Sequence, residues 1–248
     1  MANPKKRSAA SAPDKQPKKK KTTNARNDQD DDIFDTDLGI NTLFARMDNQ
    51  LLADYLVQKT ARFGSDLSTV ELGDLAIPAN CIRDTTSWQT DRTLQHLPAF
   101  LDAFSEKPGS LKQAPKAKGS PHTLIVAGAG LRAADIVRAV RSFASRECAV
   151  AKLFAKHFKV QEQVEFLRSK VTGIGVGTPA RLAELIDNGA LSVDGLRRLV
   201  VDASHIDQKK RGVTDMKDTA IPLARFLARQ EFRDRYGDGE KSLALLFY

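Results

Sequence analysis

Residues Val171 to Ile206 read VTGIGVGTPARLAELIDNGALSVDGLRRLVVDASHI, and this stretch decides the fold. The short apolar run Ile174-Gly175-Val176 breaks on Gly177. Thr178 then suits a helix N-cap, and Pro179 suits the first helical position, where a missing N–H costs nothing. Leu182, Leu185 and Ile186 recur at i, i+3 and i+4 as one apolar stripe, and Asn188-Gly189 reads as the helix stop. A second apolar run, Leu196 to Val201, follows and ends on Asp202. Strand, crossover helix and strand make one βαβ unit.

The same alternation extends on both sides. Upstream, Thr123 to Ala127 is a buried-type strand, Gly128-Ala129-Gly130 turns the chain, and a helix from about Arg132 to Ser145 carries Ile136, Val137, Val140 and Phe143 on one face. Val150 to Phe154 reads as a strand and Gln161 to Ser169 as a helix. Downstream, a helix of about Thr219 to Arg233 turns Leu223, Phe226 and Leu227 inward. Ser242 to Phe247 is apolar and reads as a central strand. Near-continuous apolar strands imply a sheet covered by helices on both faces. The expected fold is α/β: one doubly wound, mostly parallel sheet over residues 85–248.

Residues 40–84 read as a helical and irregular extension packed on that core. Leu43, Met47, Leu51, Tyr55 and Leu56 place a long helix over 42–63, and residues 64–90 are turn-rich. Thr93 to Phe104 is a further helix, and residues 105–120 form a solvated loop. With 248 residues and 41% hydrophobic content, one good-sized domain plus a tail is affordable. No apolar run approaches the roughly 18 residues that a membrane span needs. The first twenty residues are Lys-, Ala- and Pro-rich, unlike a secretory signal. Cys81 and Cys148 match no metal or redox spacing and read as reduced thiols.

The net charge of +8 is unevenly placed. Residues 1–26 hold nine Lys/Arg against the single acid Asp14, and residues 27–39 hold six Asp and no base, which leaves +6 on the rest. A basic surplus favours polyanion partners through counterion release. Residues 1–39 are low in aromatics and show no apolar periodicity, too little to offset chain entropy, so a disordered basic-then-acidic tail is expected. Within it Lys5, Lys6 and Arg7, then Lys18, Lys19, Lys20 and Lys21, have the layout of a bipartite nuclear-import signal. Each basic cluster would engage its own acidic groove on an import receptor. A generic polybasic arm for RNA or chromatin is the alternative, and the two roles are compatible.

In such sheets ligands sit beyond the carboxyl ends of the strands. Here those loops are Ala127 to Arg132, Gly177 to Arg181 and Asp202 to His205. Gly177-Thr178-Pro179-Ala180-Arg181-Leu182 resembles the GTPGRL element of DEAD-box RNA helicases, and Leu199 to His205 (LVVDASH) sits where that family has LVLDEAD. The order of elements resembles the family's first RecA-like lobe. The departures matter more. The phosphate loop would fall at Thr86 to Thr93, a window without glycine in which Trp88 and Asp91 intrude and Arg92 replaces the lysine. Glycines there let successive N–H groups converge on phosphates, and lysine neutralises them. Asp202 is kept, but Ala203 replaces the glutamate expected to position the attacking water. The chain stops before the family's SAT residues and second lobe.

This degenerate pattern, with its basic tail, Asp84-Thr85-Thr86-Ser87 segment and DASH remnant, is similar to the small Cms-type factors of the 90S pre-ribosome, or small-subunit processome. The resemblance implies a nuclear, nucleolar, non-catalytic factor of rRNA maturation. Its expected partners are pre-ribosomal RNA and 90S proteins, with no membrane, catalytic residue, metal or other cofactor. Candidate phosphate or partner contacts are Gly177, Thr178, Arg181 and Arg132, at a helix N-terminus and a strand-end turn where free N–H groups favour anions. Simple capping of a crossover helix explains Thr178 equally well. Asp202 and His205 lack the third ligand of a metal site. Against the RNA/protein scaffold stands an NTP-binding regulator or atypical ATPase with a rebuilt pocket.

Overall fold

The computed structural model describes residues 1–2, 33–156, 158–237 and 242–248. A short antiparallel hairpin, β1 (Phe34–Asp35) and β2 (Ile40–Asn41), is followed by helices α1 (Leu43–Arg46), α2 (Asn49–Phe63), α3 (Thr69–Leu75) and α4 (Leu97–Ala103). The α/β alternation then runs β3 (Thr123–Val126), α5 (Gly130–Ala139), β4 (Ala149–Leu153), α6 (Val160–Ser169), β5 (Thr172–Gly177), α7 (Pro179–Asp187) and β6 (Arg198–Val201). Helices α8 (Lys217–Leu227) and α9 (Gln230–Arg233) lead to β7 (Ala244–Phe247).

The five long-range strands form one parallel sheet in the order β4-β5-β3-β6-β7. Side chains alternate across it, as the two-residue strand period demands. Leu124, Val126, Leu199, Val201, Leu245 and Phe247 enter the core shared with α2, α6, α7 and α8. Ile125, Val200 and Leu246 enter the opposite core under α4 and α5. The doubly wound expectation holds. In β5 the alternation is unusual: Ile174 and Val176 fill the α4–α5 side, while a Cβ on Gly175 would lie 2.8 Å from Leu124 and 2.9 Å from Leu153. Glycine is there because its neighbours already occupy the space.

Register matters for function. Val126 pairs with Gly177 and with Val201, and Val201 pairs with Phe247, so four strand ends stop at one level. The loops 127–132, 177–181 and 202–205 leave from this edge, together with Tyr248.

Several expectations are corrected. Ser242–Phe247 is not central: β7 ends the sheet, and its outer side meets Ile82 in a single parallel bridge to Leu245, with Arg83 N–H donating to Leu245 O at 2.9 Å and Arg92 to Phe247 O. The helix expected over 42–63 breaks at Met47, whose ψ of 121° is extended; Asp48 then caps α2 by accepting from Leu51 N–H at 2.9 Å. The turn-rich stretch holds α3, closed by a Ser68/Glu71 capping box. Helix α4 begins four residues late because the Thr93 carbonyl accepts from His96 N–H and from the Tyr248 hydroxyl instead. The helix expected from Thr219 to Arg233 is interrupted where Arg229 turns extended and bridges Asp187 and Glu231. Residues 33–39, assigned to the tail, belong to the β1–β2 hairpin, where Asp35 accepts from the N–H groups of Asp37 and Leu38. Residues 3–32 of the tail, which hold the basic clusters read as an import signal, lie outside the described residues.

The extension is part of the same body. Phe44, Leu52, Leu56, Ile77 and Ile82 share a core with Leu199, Leu245 and Phe247. The Asn41 N–H donates to Ser204 O at 2.7 Å, so the hairpin is stitched to the strand-end loop.

Candidate functional site

Helix α5 follows β3 after the turn Ala127 to Ala129, and its third residue is Arg132. From there the side chain crosses to the end of β6. Nε donates to Asp202 Oδ2 and Nη2 to Oδ1, both at 2.8 Å. The side chains are 12% and 3% exposed. Two parallel charge-assisted bonds in this geometry are among the strongest polar contacts a protein makes. Burial works against the charge on Arg132, but the Asp202 carboxylate more than offsets it and holds the guanidinium above its ordinary value. An acid that receives a hydrated metal needs a free oxygen, and here one guanidinium engages both.

The loop after Asp202 is equally committed. Ala203 N–H and Ser204 N–H both donate to Tyr248 O at 2.7 Å. Ala203 is fully buried and offers no carboxylate. His205 is half-buried, forms an antiparallel bridge with Ile40, and is held below the usual imidazole range by burial and by the positive charge of Arg132.

On the other side of the edge lies the Thr86–Thr93 window. Arg92 points inward and is 2% exposed. Nη1 donates to Phe247 O, and Nη2 donates to Thr85 O at 3.1 Å and Thr85 Oγ1 at 3.0 Å. Its guanidinium carbon lies 5.6 Å from the centre of the Phe100 ring, which also meets Trp88 edge-on at 5.7 Å and Tyr248 at 4.6 Å. Burial pushes the Arg92 pKa down to about 10. In the window read as a degenerate phosphate loop, Arg92 therefore turns Nη1 and Nη2 to this chain's own oxygens, while its buried Nε finds no hydrogen-bond partner among the described residues. Aromatic rings fill the volume around it.

The expected phosphate contacts divide unevenly. Gly177 is buried, and a Cβ there would lie 2.2 Å from Leu153 O and 2.8 Å from Leu182, so packing alone demands glycine. Thr178 sits half-buried at the N-cap of α7 and makes no side-chain capping bond. Arg181 points back into the protein, with its side chain 10% exposed. Nη1 donates to Gln163 Oε1 at 2.7 Å and to Phe158 O at 3.2 Å, and Nε to Glu184 at 2.9 Å. Arg132 and Arg181 are thus held by internal acceptors rather than presented to a phosphate. Of the four candidate contacts, Thr178 is left as a half-buried polar side chain at this edge.

The whole chain, residues 1–248, matches the family described as CMS1, U3-containing 90S pre-ribosomal complex subunit. The chain belongs to the CMS1 family. It is 58% identical over 246 residues to Protein CMS1 of Chaetomium thermophilum, covering 99% of this chain and 97% of that one. It is 28% identical to Protein cms1 of Schizosaccharomyces pombe over 197 residues, 79% of this chain and 69% of that one. It is 33% identical to human Protein CMSS1 over 170 residues, 68% of this chain and 56% of that one. Among solved structures it is similar to the yeast DEAD-box splicing factor Prp28, with TM-score 0.41 and 20% identity over 60% of this chain and 31% of that one. A DEAD box protein of Methanococcus jannaschii gives TM-score 0.39 and 16% identity over 64% and 37%. The chain therefore spans about a third of the length of these two structures.

Two features of this CMS1-family chain carry no sequence signal. Arg92 reads as a lysine substitute until its burial is seen. Gln163, 3% exposed on α6, donates to Lys152 O at 2.7 Å and Phe154 O at 3.0 Å along the outer edge of β4. With Arg181 holding its oxygen, Gln163 blunts a strand edge that would otherwise present free carbonyls. No group of three or more His, Cys, Asp or Glu placed to hold a metal occurs among the described residues. No helix there is long and apolar enough to cross a membrane.

Proposed function

We propose that this CMS1-family chain is a non-catalytic assembly factor of the 90S pre-ribosome, its RecA-like lobe serving as a scaffold for RNA and protein in small-subunit rRNA maturation. The observation that carries this reading is the closed strand-end edge. Arg132 occupies Asp202 from one side while Arg92 and its aromatic neighbours fill the other. Nucleotide hydrolysis needs positioned donors and a metal-ready acid at that place. In this chain both positions are occupied by its own side chains.

RNA contact rests on the basic surplus of the folded part, with phosphate approach at the α7 N-terminus beside Thr178. Work in the nucleus and nucleolus, and import by a receptor that reads Lys5, Lys6, Arg7 and Lys18 to Lys21, belong to the same reading. Changing Lys18, Lys19, Lys20 and Lys21 to alanine is expected to move the protein to the cytoplasm; an unchanged nuclear signal counts against import by this arm.

Equilibrium titration of the full chain with labelled ATP and Mg²⁺, at near-millimolar protein, tests the central claim. The expected result is no saturable binding while the tagged protein sediments with 90S particles. Saturable binding that is lost in Asp202→Ala would overturn it in favour of an NTP-binding regulator or atypical ATPase.

A further inference from the structure

Helix α5 shows its outer side to a groove of about 410 Å³ between its own N-terminal half and the segment that follows β4. Leu131, Ala134 and Val137 line it at three-residue steps, one apolar face of the helix. Leu131 is 63% exposed, among the most exposed large apolar side chains of the described residues. Its position at the start of α5 follows from Arg132, whose inward reach to Asp202 turns the preceding residue outward. The groove is sharply shaped on one side, where a Cβ on Gly130 would lie 3.1 Å from Lys156 Cβ.

The rim is cationic. Arg138, Lys152 and Lys156 line the groove and no acidic residue does, although Asp135 sits beside Arg138 at 2.7 Å. The Arg138 side chain is 74% exposed, and Lys152 and Lys156 are exposed. Gln163 takes the Lys152 and Phe154 carbonyls along β4, so pairing with an added strand is obstructed at these positions. An occupant must enter by its side chains.

We propose that this groove docks an acidic peptide segment of a neighbouring protein in the assembly, with one or two aliphatic or aromatic side chains set on Leu131, Ala134 and Val137 and carboxylates facing Arg138, Lys152 and Lys156. Single-stranded RNA shares the charge but not the rest. Base stacking needs an open aromatic face. Phe154 is 3% exposed, and Phe158 is edge-on to Phe154 at 5.7 Å with Lys152 Nζ 5.8 Å from its ring centre. The floor combines Leu131, Ala134 and Val137 with the edges of these two rings, and an apolar floor ringed by cations matches an acidic, apolar-anchored peptide. The inference rests on the scaffold reading given above and names the kind of partner.

A photo-reactive benzoyl-phenylalanine placed at Leu131 of the full chain, irradiated in purified 90S particles, tests it. The expected product is a crosslink that mass spectrometry maps to an acidic segment with an apolar residue at the attachment point. Lys152→Glu with Lys156→Glu is expected to cut its yield at least tenfold, while the chain keeps its fold by circular dichroism. A crosslink to RNA, to a segment without acidic residues, or to nothing overturns the proposal, as does a yield indifferent to charge reversal. Sedimentation with 90S particles is scored separately, so a chain that remains in the particle without the crosslink sinks the docking site and leaves the scaffold reading standing.

Discussion

Arg132 and Asp202, 70 residues apart in the chain, meet in a bidentate ion pair that closes the carboxyl edge of the sheet. Because the pair is buried, its two members are unequal targets. Arg132→Ala leaves a carboxylate in a dry site, and the expected loss is about 3–5 kcal/mol of unfolding free energy. Replacing both residues with apolar ones of similar size is expected to recover most of that loss. Urea unfolding of Arg132→Ala, Asp202→Ala and a double apolar variant measures it; equal losses in all three would refute the ion-pair account.

The buried Arg92 gives a second test. Arg92→Ala strands the carbonyls of Phe247 and Thr85 and opens a void beside Phe100. The expected cost is about 2–4 kcal/mol. Arg92→Lys keeps a charge but not the fork that reaches both carbonyls, so it is expected to restore less than half of the loss. Chemical denaturation reads both. Recovery of full stability in Arg92→Lys would show that only the charge matters.

Stability is expected to fall in mild acid. His122 is 8% exposed, and burial, reinforced by the positive charge of Arg198, pushes its pKa down to about 4. The unfolded chain takes up this proton near pH 6.5. The contribution is therefore complete above about pH 6.5 and is lost as pH falls toward 4, at up to about 1.4 kcal/mol per pH unit. His205 is depressed in the same direction. Unfolding free energies between pH 7 and 4 should fall less steeply in His122→Gln than in the parent; identical slopes would remove His122 from the account.

Gln163→Leu is expected to free the outer carbonyls of β4 and to release Arg181. The expected cost is about 1–3 kcal/mol, with a rise in aggregation at the exposed strand edge. Light scattering during thermal unfolding checks the second effect, and a monomeric, fully stable variant would contradict it.

Much of this architecture was legible in the order of residues. Strands β3, β5 and β6 are short apolar runs closed by glycine or aspartate, and β5–α7–β6 follows from that punctuation. Local signals also contained α3, whose Ser68 and Glu71 stand in capping-box spacing, but the surrounding turn residues masked it. The edge position of β7 was hidden for a different reason: an apolar run reports burial, and β7 is buried by Ile82 and the two cores rather than by a strand on each side. The site was the least legible part. Missing glycines and Ala203 mark departures from the motifs this chain resembles, yet nothing in the spacing tells that Arg132 turns inward to Asp202 or that Arg92 lies beneath Phe247. Such pairings depend on which strands become neighbours, and that is a property of the assembled sheet.

The hairpin and α2 have a consequence for the order in which this protein is made. The Tyr55 hydroxyl meets Thr214 across 159 residues of chain, and the single bridge of Ile82 waits for Leu245 in the last strand. An amino-terminal segment emerging from the ribosome has its apolar side, Leu52, Leu56 and Ile77, ready long before the surface it will cover exists. Contacts of such sequence separation close late. The extension therefore cannot complete its docking until the segments that hold Thr214 and Leu245 have been made.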